Sequence, residues 1–365
     1  MSTMKSLQMR IYRARRAGQP KLPQTTQELL DMPPEYKKLD SGEDFLVAAE
    51  DVGENEVLLV FMSSFGERVL RKSSTWLSDG TFKCVPAHFG QMYVVFGAKQ
   101  DSPIIFPACY CLLPNKKYDT YLRMWSIIKS RLNISNDPQV VNIDFEAAAI
   151  SAVKDVFPTT QVDGCNFHWK RCIFDNVGAK GCLSLFHNND KFQIGIDLVY
   201  TLCYVPVDYI IQAWEDVIMP FFEKNFEDEH VEVFTFLTYV EATWIGRRRT
   251  RGNRSAPRFQ HSMWNINSNI VEDRPTTNNA VESFNGRWNQ SIGTSFNIWT
   301  VISKFKTEDS LARTKLQEMV TARRSDEHPA RMEAKACRLK KLKDALENFD
   351  PDCLKEFMFG LRDNA

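Results

Sequence analysis

Hydrophobic and polar positions change period several times along this chain. Residues 57–64, VLLVFMSS, form a short apolar run after a polar stretch broken by Pro20, Pro23, Pro33 and Pro34. A run this short and rich in Val and Leu reads as a strand, here one edge element at the end of a tail. From Thr75 three β-rich runs follow, TWLSDGTFKC, QMYVVFGAK and PIIFPACYCLL, separated by short polar breaks that suit an antiparallel meander. In YDTYLRMWSIIKSRLN the residues Tyr121, Leu122, Trp125, Ile128 and Leu132 recur near the helical period, which predicts a helix lying on the sheet. QVVNIDF then reads as a short β-branched strand, EAAAISAVKDVF as a helix ending before Pro158, and TQVDGC as a strand leading to a helix near Asn166.

Three strands, a helix, a strand, a helix and a strand predict one mixed α/β sheet with helices packed on it. Residues 174–274 read instead as helices with intervening loops, among them QIGIDLVYTLCYV and DYIIQAWEDVIMPFFEKNF. A capped helix resumes in TTNNAVESFNGRWNQSI, where Val281, Phe284, Trp288 and Ile292 share a buried face; residues 301–347 are helical with charges alternating in sign. The expected organisation is a basic N-terminal region with its edge strand (1–70), the first part of the α/β core (71–173), a helical insertion (174–274), the closing part of the core (275–310) and a helical tail (311–365).

The length, 365 residues, accommodates one large domain or two ordinary ones, and 43% hydrophobic residues is normal for a soluble globular protein. No stretch approaches the roughly 18 apolar residues of a membrane span, and the first residues lack the apolar middle of a signal peptide. A soluble intracellular protein with no membrane partner is expected. Nine singly scattered cysteines read as reduced thiols. The 46 basic residues balance 46 acidic ones, but the charge is segregated. Residues 1–38 hold eight Lys or Arg against three acids, and residues 247–258 hold six arginines, Arg247, Arg248, Arg249, Arg251, Arg254 and Arg258, without an acid. Both segments suit phosphate contact; both are equally read as a solvated arm and a solvated loop.

Cutting and joining phosphodiesters with two metal ions requires carboxylates that converge from separate elements. Asp79 in SDGTF, Asp144 at the end of VVNID and Glu282 in the first turn of a later helix occupy such places. Each has an ordinary competing role. Asp-Gly between β-rich runs is a strong hairpin signal, an Asp between strand and helix is a common N-cap, and Glu282 with Asn279 has the spacing of a capping box.

Four segments in order, WLSDGTFKCVPAHFGQMYVV, VVNIDFEAAAISAVKDVFP, GCNFHWKRC and TTNNAVESFNGRWN, resemble the Mutator-like (MULE) transposases, a branch of the DDE transposases. The resemblance runs over about residues 10–310. It implies an RNase H-like mixed sheet flanked by helices, interrupted by a long α-helical insertion before the last catalytic helix. Asp79, Asp144 and Glu282 match the positions of the catalytic, metal-holding acids, with 65 residues between the two Asp positions and 138 from Asp144 to Glu282. The implied metals are two Mg²⁺ or Mn²⁺ ions, and the implied partners are double-stranded DNA, as transposon ends and target, and further copies of the chain in a homo-oligomer. A nuclear location follows from the substrate.

Cys165 and His168 match the family's Cys-x-x-His element. This pair is half of a tetrahedral zinc site that Cys172, Cys182 or His187 would have to complete, or else a packing element beside the carboxylates. The arginines of 247–258 would lie along the DNA. Many relatives carry a Cys/His zinc finger of FLYWCH type ahead of the core; here no His precedes His88 and no Cys precedes Cys84, so no such finger is expected. That departure leaves room for a second reading, a transposon-derived, catalytically silent DNA-binding or interaction protein. A ribonuclease H cutting RNA in hybrids is a third, which the long insertion and the Cys-x-x-His element suit less well.

Overall fold

In the computed structural model, the described residues are 18–82, 85–98, 104–226, 231–250, 252–272, 279–292, 297–321 and 329–364. Along the chain run β1 (Leu46–Asp51), β2 (Val57–Phe61), α1 (Ser64–Lys72), β3 (Thr75–Thr81), β4 (Gln91–Ala98), β5 (Ile105–Leu113), α2 (Tyr118–Leu132), β6 (Val140–Ile143), α3 (Ala147–Val156), β7 (Gln161–Gly164) and α4 (Asn166–Ala179). The later helices include α5 (Asp190–Thr201), α6 (Val231–Val240), α7 (Asn279–Ile292), α8 (Ile298–Thr321), α9 (Pro329–Glu347) and α10 (Leu354–Asn364). Two compact units divide these elements, Met1–Val162 with Asn279–Arg324 and Asp163–Asn278 with Ser325–Ala365. No helix among the described residues is long and apolar enough to cross a membrane.

The sheet has seven strands in the order β1-β2-β5-β4-β3-β6-β7. The meander β3-β4-β5 is antiparallel, and β3 pairs with β6 in parallel. The run at 57–61 is not an edge. β2 lies between β1 and β5 with every residue buried, and β1, whose side chains are mostly half-exposed, takes the edge. β1 shields the backbone groups of the apolar strand from water.

Alternation along β3 divides its side chains between two layers. Trp76 faces α2, where it stacks on Trp125 with Phe157 against its edge, and its indole N–H donates to the Leu70 carbonyl. Leu77 faces the opposite layer, a core built from Phe61, Val94, Phe96, Tyr110 and Leu112 of the sheet with Val281, Phe284 and Trp288 of α7 and Ile302 and Phe305 of α8. The alternation places Asp79 with Leu77, on the face that receives α7. Fully burying one such aromatic or aliphatic side chain stabilises the fold by about 1.5–3 kcal/mol, so α7 is fixed to the sheet by its apolar stripe.

Among its described residues, the regular structure of the second unit is helical, apart from the end of β7 and one isolated bridge. Its centre is aromatic. Trp169 of α4 stacks on Trp264 with ring centroids 5.0 Å apart, and Trp244 meets both rings edge-on. The Asn265 side-chain amide donates to the carbonyls of Leu202 and Val205, satisfying buried backbone acceptors. Two stretches, Ala213–Ile218 and Glu241–Ile245, are wound as π-helix.

Candidate functional site

Asp79 lies inside β3, paired opposite Val94, and is buried. It does not form the hairpin turn that Asp-Gly would allow. Gly80 continues the strand opposite Tyr93, and a Cβ there would come within 2.7 Å of the Gln91 side-chain oxygen. Asp144 follows β6 directly, half-buried, and it is not a helix cap because Glu146 occupies the N-cap position of α3.

The parallel register explains why the two acids meet. β3 pairs with β6 as Thr75 to Val140, Trp76 to Val141 and Leu77 to Asn142. Two residues further along both strands, Asp79 stands level with Asp144. Neighbouring strands lie about 4.8 Å apart. Accordingly, one carboxylate oxygen of Asp79 and one of Asp144 lie within 4.8 Å of each other. Two anionic groups this close repel unless a cation or a proton lies between them.

On the α2 side of the same strands lies a cluster of polar side chains. The Tyr93 and Ser78 hydroxyls lie 2.9 Å apart. Burial holds the Tyr93 hydroxyl well above its usual pKa, and Tyr121, Asp79 and Asp144 push it further in the same direction. The Tyr121 hydroxyl is raised first by burial and then by Glu146, to which it donates a 3.1 Å bond. Both phenols therefore remain neutral near the carboxylates. Gln91, almost fully buried, donates to the Tyr121 oxygen at 2.7 Å, and Lys116 Nζ stands 3.4 Å from the other Glu146 oxygen.

Glu282 belongs to α7, and its side chain lies outside the described part of the structure. Its place on the helix is informative by itself. Three residues further along the same face, Asn285 donates its side-chain amide to Asp79 Oδ2 at 2.7 Å. The backbone of α7 therefore carries position 282 within one turn of a residue that touches Asp79.

Cys165 is buried at the N-cap of α4, and His168 lies half-buried in the first turn of that helix. Among the described residues, neither Cys165, Cys172, Cys182 nor His187 belongs to a group of three or more residues placed to hold a metal.

The arginine-rich segment is a built hairpin. Arg248 and Arg254 form an isolated antiparallel bridge, the Arg249 N–H donates to the Asn253 carbonyl, and the Arg247 N–H donates to Ser255 Oγ. Gly246, at φ +101°, opens it; a Cβ there would lie 2.2 Å from the Ser255 carbonyl oxygen. Arg254 differs from the other arginines of the segment. Its guanidinium is only 10% exposed and pairs with Glu215 at 2.6 Å and Glu241 at 2.7 Å, each supplied by one of the π-helical stretches. Arg254 anchors the hairpin, its guanidinium committed to these two carboxylates. Arg247, Arg248, Arg249 and Arg258 are exposed, whereas Arg251 lies outside the described residues.

Several residues of the site escaped the sequence analysis: Gln91, Tyr93, Lys116, Tyr121, Glu146 and Asn285. Two carried a usable signal. Asn285 stands one helical turn after Glu282, and Glu146 stands two residues after Asp144.

The fold and the site define a mixed α/β protein with two carboxylates juxtaposed on adjacent parallel strands of a seven-stranded sheet. Residues 75–171, which contain both aspartates, match the family model of the MULE transposase domain. This match supports a MULE-type transposase family and a transposase-related function. No curated protein matches the chain.

Proposed function

We propose that the chain is a DDE-type transposase that cleaves DNA strands and transfers them in a metal-dependent reaction. The observation that carries this reading is the Asp79–Asp144 pair, two oxygen-donor side chains set side by side inside the segment that matches the MULE transposase domain. Strand order supports an RNase H-like core: β5-β4-β3-β6-β7 is an antiparallel meander followed on its open side by a strand parallel to the first of the three.

The donor set fits Mg²⁺ or Mn²⁺, hard cations that take carboxylate and phosphate oxygens. Asp79 and Asp144 would hold the metal, with Glu282 as the third acid; bound there, it would supply Lewis-acid stabilisation of charge at the phosphorus centre and a lowered pKa for the attacking hydroxyl. The chain's own residues supply the frame. Asn285 holds the Asp79 carboxylate in orientation through Oδ2. Tyr93 and Tyr121, neutral at physiological pH, pack against each other on the α2 side of the sheet and add no negative charge to the region. Arg247, Arg248, Arg249 and Arg258 offer cations to the DNA backbone, which would position the duplex without reading its sequence.

The test is nicking of supercoiled plasmid DNA by the full chain with Mg²⁺ or Mn²⁺ and with EDTA. Metal-dependent nicking that disappears in D79N, D144N and E282Q is expected. Undiminished nicking in these variants would overturn the assignment, and metal-independent binding without any nicking would favour a catalytically silent descendant.

A further inference from the structure

Phe82 follows the end of β3, three residues beyond Asp79, and 51% of its surface is exposed. Its neighbour is a cation. Lys116 Nζ stands 3.8 Å from the centre of the Phe82 ring while pairing with Glu146 at 3.4 Å. This lysine is held in place by a chain of contacts. Glu146 accepts from the Tyr121 hydroxyl, which accepts from Gln91, and the Gln91 amide also donates to the Asn115 carbonyl beside Lys116. Asn115 in turn accepts from the Lys117 N–H and the Thr120 hydroxyl, closing the loop that carries the lysine.

An exposed aromatic ring adds little to folding, because its surface stays in water. A ring with an ammonium over it and half its surface in water, tied through that ammonium to Glu146 two residues after Asp144, suits a flat, uncharged group linked to a phosphate. We propose that Phe82 and Lys116 form a stacking platform for one nucleobase of the DNA strand being cut, with the open part of the ring taking the base and the lysine ammonium the adjoining phosphate. The proposal rests on the DNA-cleavage reading above. In an intact duplex both faces of each base are covered by its neighbours. The occupant is therefore a nucleotide that has left the stack or is already single-stranded at the cut.

The experiment measures fluorescence anisotropy of a labelled oligothymidylate, and of a duplex of equal length, with the full chain in EDTA. Stacking of one base on an aromatic side chain predicts that F82A weakens oligothymidylate binding about five- to a hundredfold. F82W should bind at least as well as the wild type, and duplex affinity should change much less. K116A should weaken binding and lessen its salt dependence by about one phosphate contact. Thermal melts of F82A and F82W establish that both fold. Wild-type affinity for oligothymidylate in F82A, equal losses on duplex and single strand, or a wild type that does not bind the oligothymidylate each overturn the platform. Because no metal or cleavage is involved, failure of the nicking assay strikes the cleavage reading alone, and an unaffected F82A beside intact nicking strikes the platform alone.

Discussion

The side-chain amide of Asn285 donates a 2.7 Å hydrogen bond to Asp79 Oδ2, joining positions 206 residues apart in the chain. This contact ties α7 to the strand that carries the first acid. A hydrogen bond to a charged acceptor contributes about 1.5–3 kcal/mol where it is shielded from water, and it also orients the carboxylate that accepts it. N285A should therefore lower the nicking rate at least about tenfold, since misplacing a catalytic group by a fraction of an ångström costs orders of magnitude. Its cost in stability should be about 1 kcal/mol, below that range because Asn285 is only half-buried. Rates on plasmid DNA and urea unfolding of the same preparation check both parts; an N285A enzyme with wild-type rates would show that the contact does not position Asp79.

Arg254 and the exposed arginines of the same hairpin should behave in opposite ways. R254A leaves Glu215 and Glu241 facing each other without their shared cation and should destabilise the protein by about 2 kcal/mol, less than a fully buried pair because both glutamates are partly exposed. R247A, R248A and R249A should each stay within about 0.5 kcal/mol of the wild type in stability. If these three touch phosphate, the triple variant should lower the slope of log affinity against log salt by about 0.9 for each phosphate that is no longer neutralised. Urea unfolding and DNA binding over a salt series separate the two roles.

Asp309 supplies a pH signature for the packing of α8. Burial raises its carboxyl above the ordinary value of 3.8, and this outweighs the opposing bond from Ser63 Oγ at 2.5 Å and the pairing with Arg313 at 3.3 Å; Glu43 nearby adds to the rise. A group whose pKa is raised by folding contributes stability that is complete below the unfolded value and is lost as pH climbs through the folded value. D309N removes this titration. The difference in melting temperature, wild type minus D309N, should therefore fall as pH rises from the ordinary aspartate value through the raised one. A difference that stays constant or grows would contradict the assigned direction.

Most of the sheet was legible in the sequence because its strands are short, β-rich and separated by polar breaks, and because α2 carries a clean apolar stripe. The place of β2 was not. Its partner β1, LVAAED, is polar and half-exposed, so periodicity gave no sign of a strand able to cover it. Asp79 illustrates how local chemistry can mislead: Asp-Gly favours a turn, but the pairing of Gly80 with Tyr93 and Thr81 with Met92 continues the strand past it. The convergence of Asp79 and Asp144 depends on a parallel register, which composition does not encode. Arg254 reads with its neighbours as a phosphate ligand because its partners, Glu215 and Glu241, lie in helices whose π-winding no sequence pattern announces.

The proposed chemistry depends on Asp79 and Asp144 acting together on one divalent ion. Calorimetric titration of Mn²⁺ into the full chain, compared with D79N and D144N, tests this without reference to any DNA substrate. Each single substitution should abolish the tightest binding event while the thermal melt stays cooperative. A variant that retains wild-type Mn²⁺ affinity would show that the two carboxylates do not share a cation, whatever the family of the surrounding sheet.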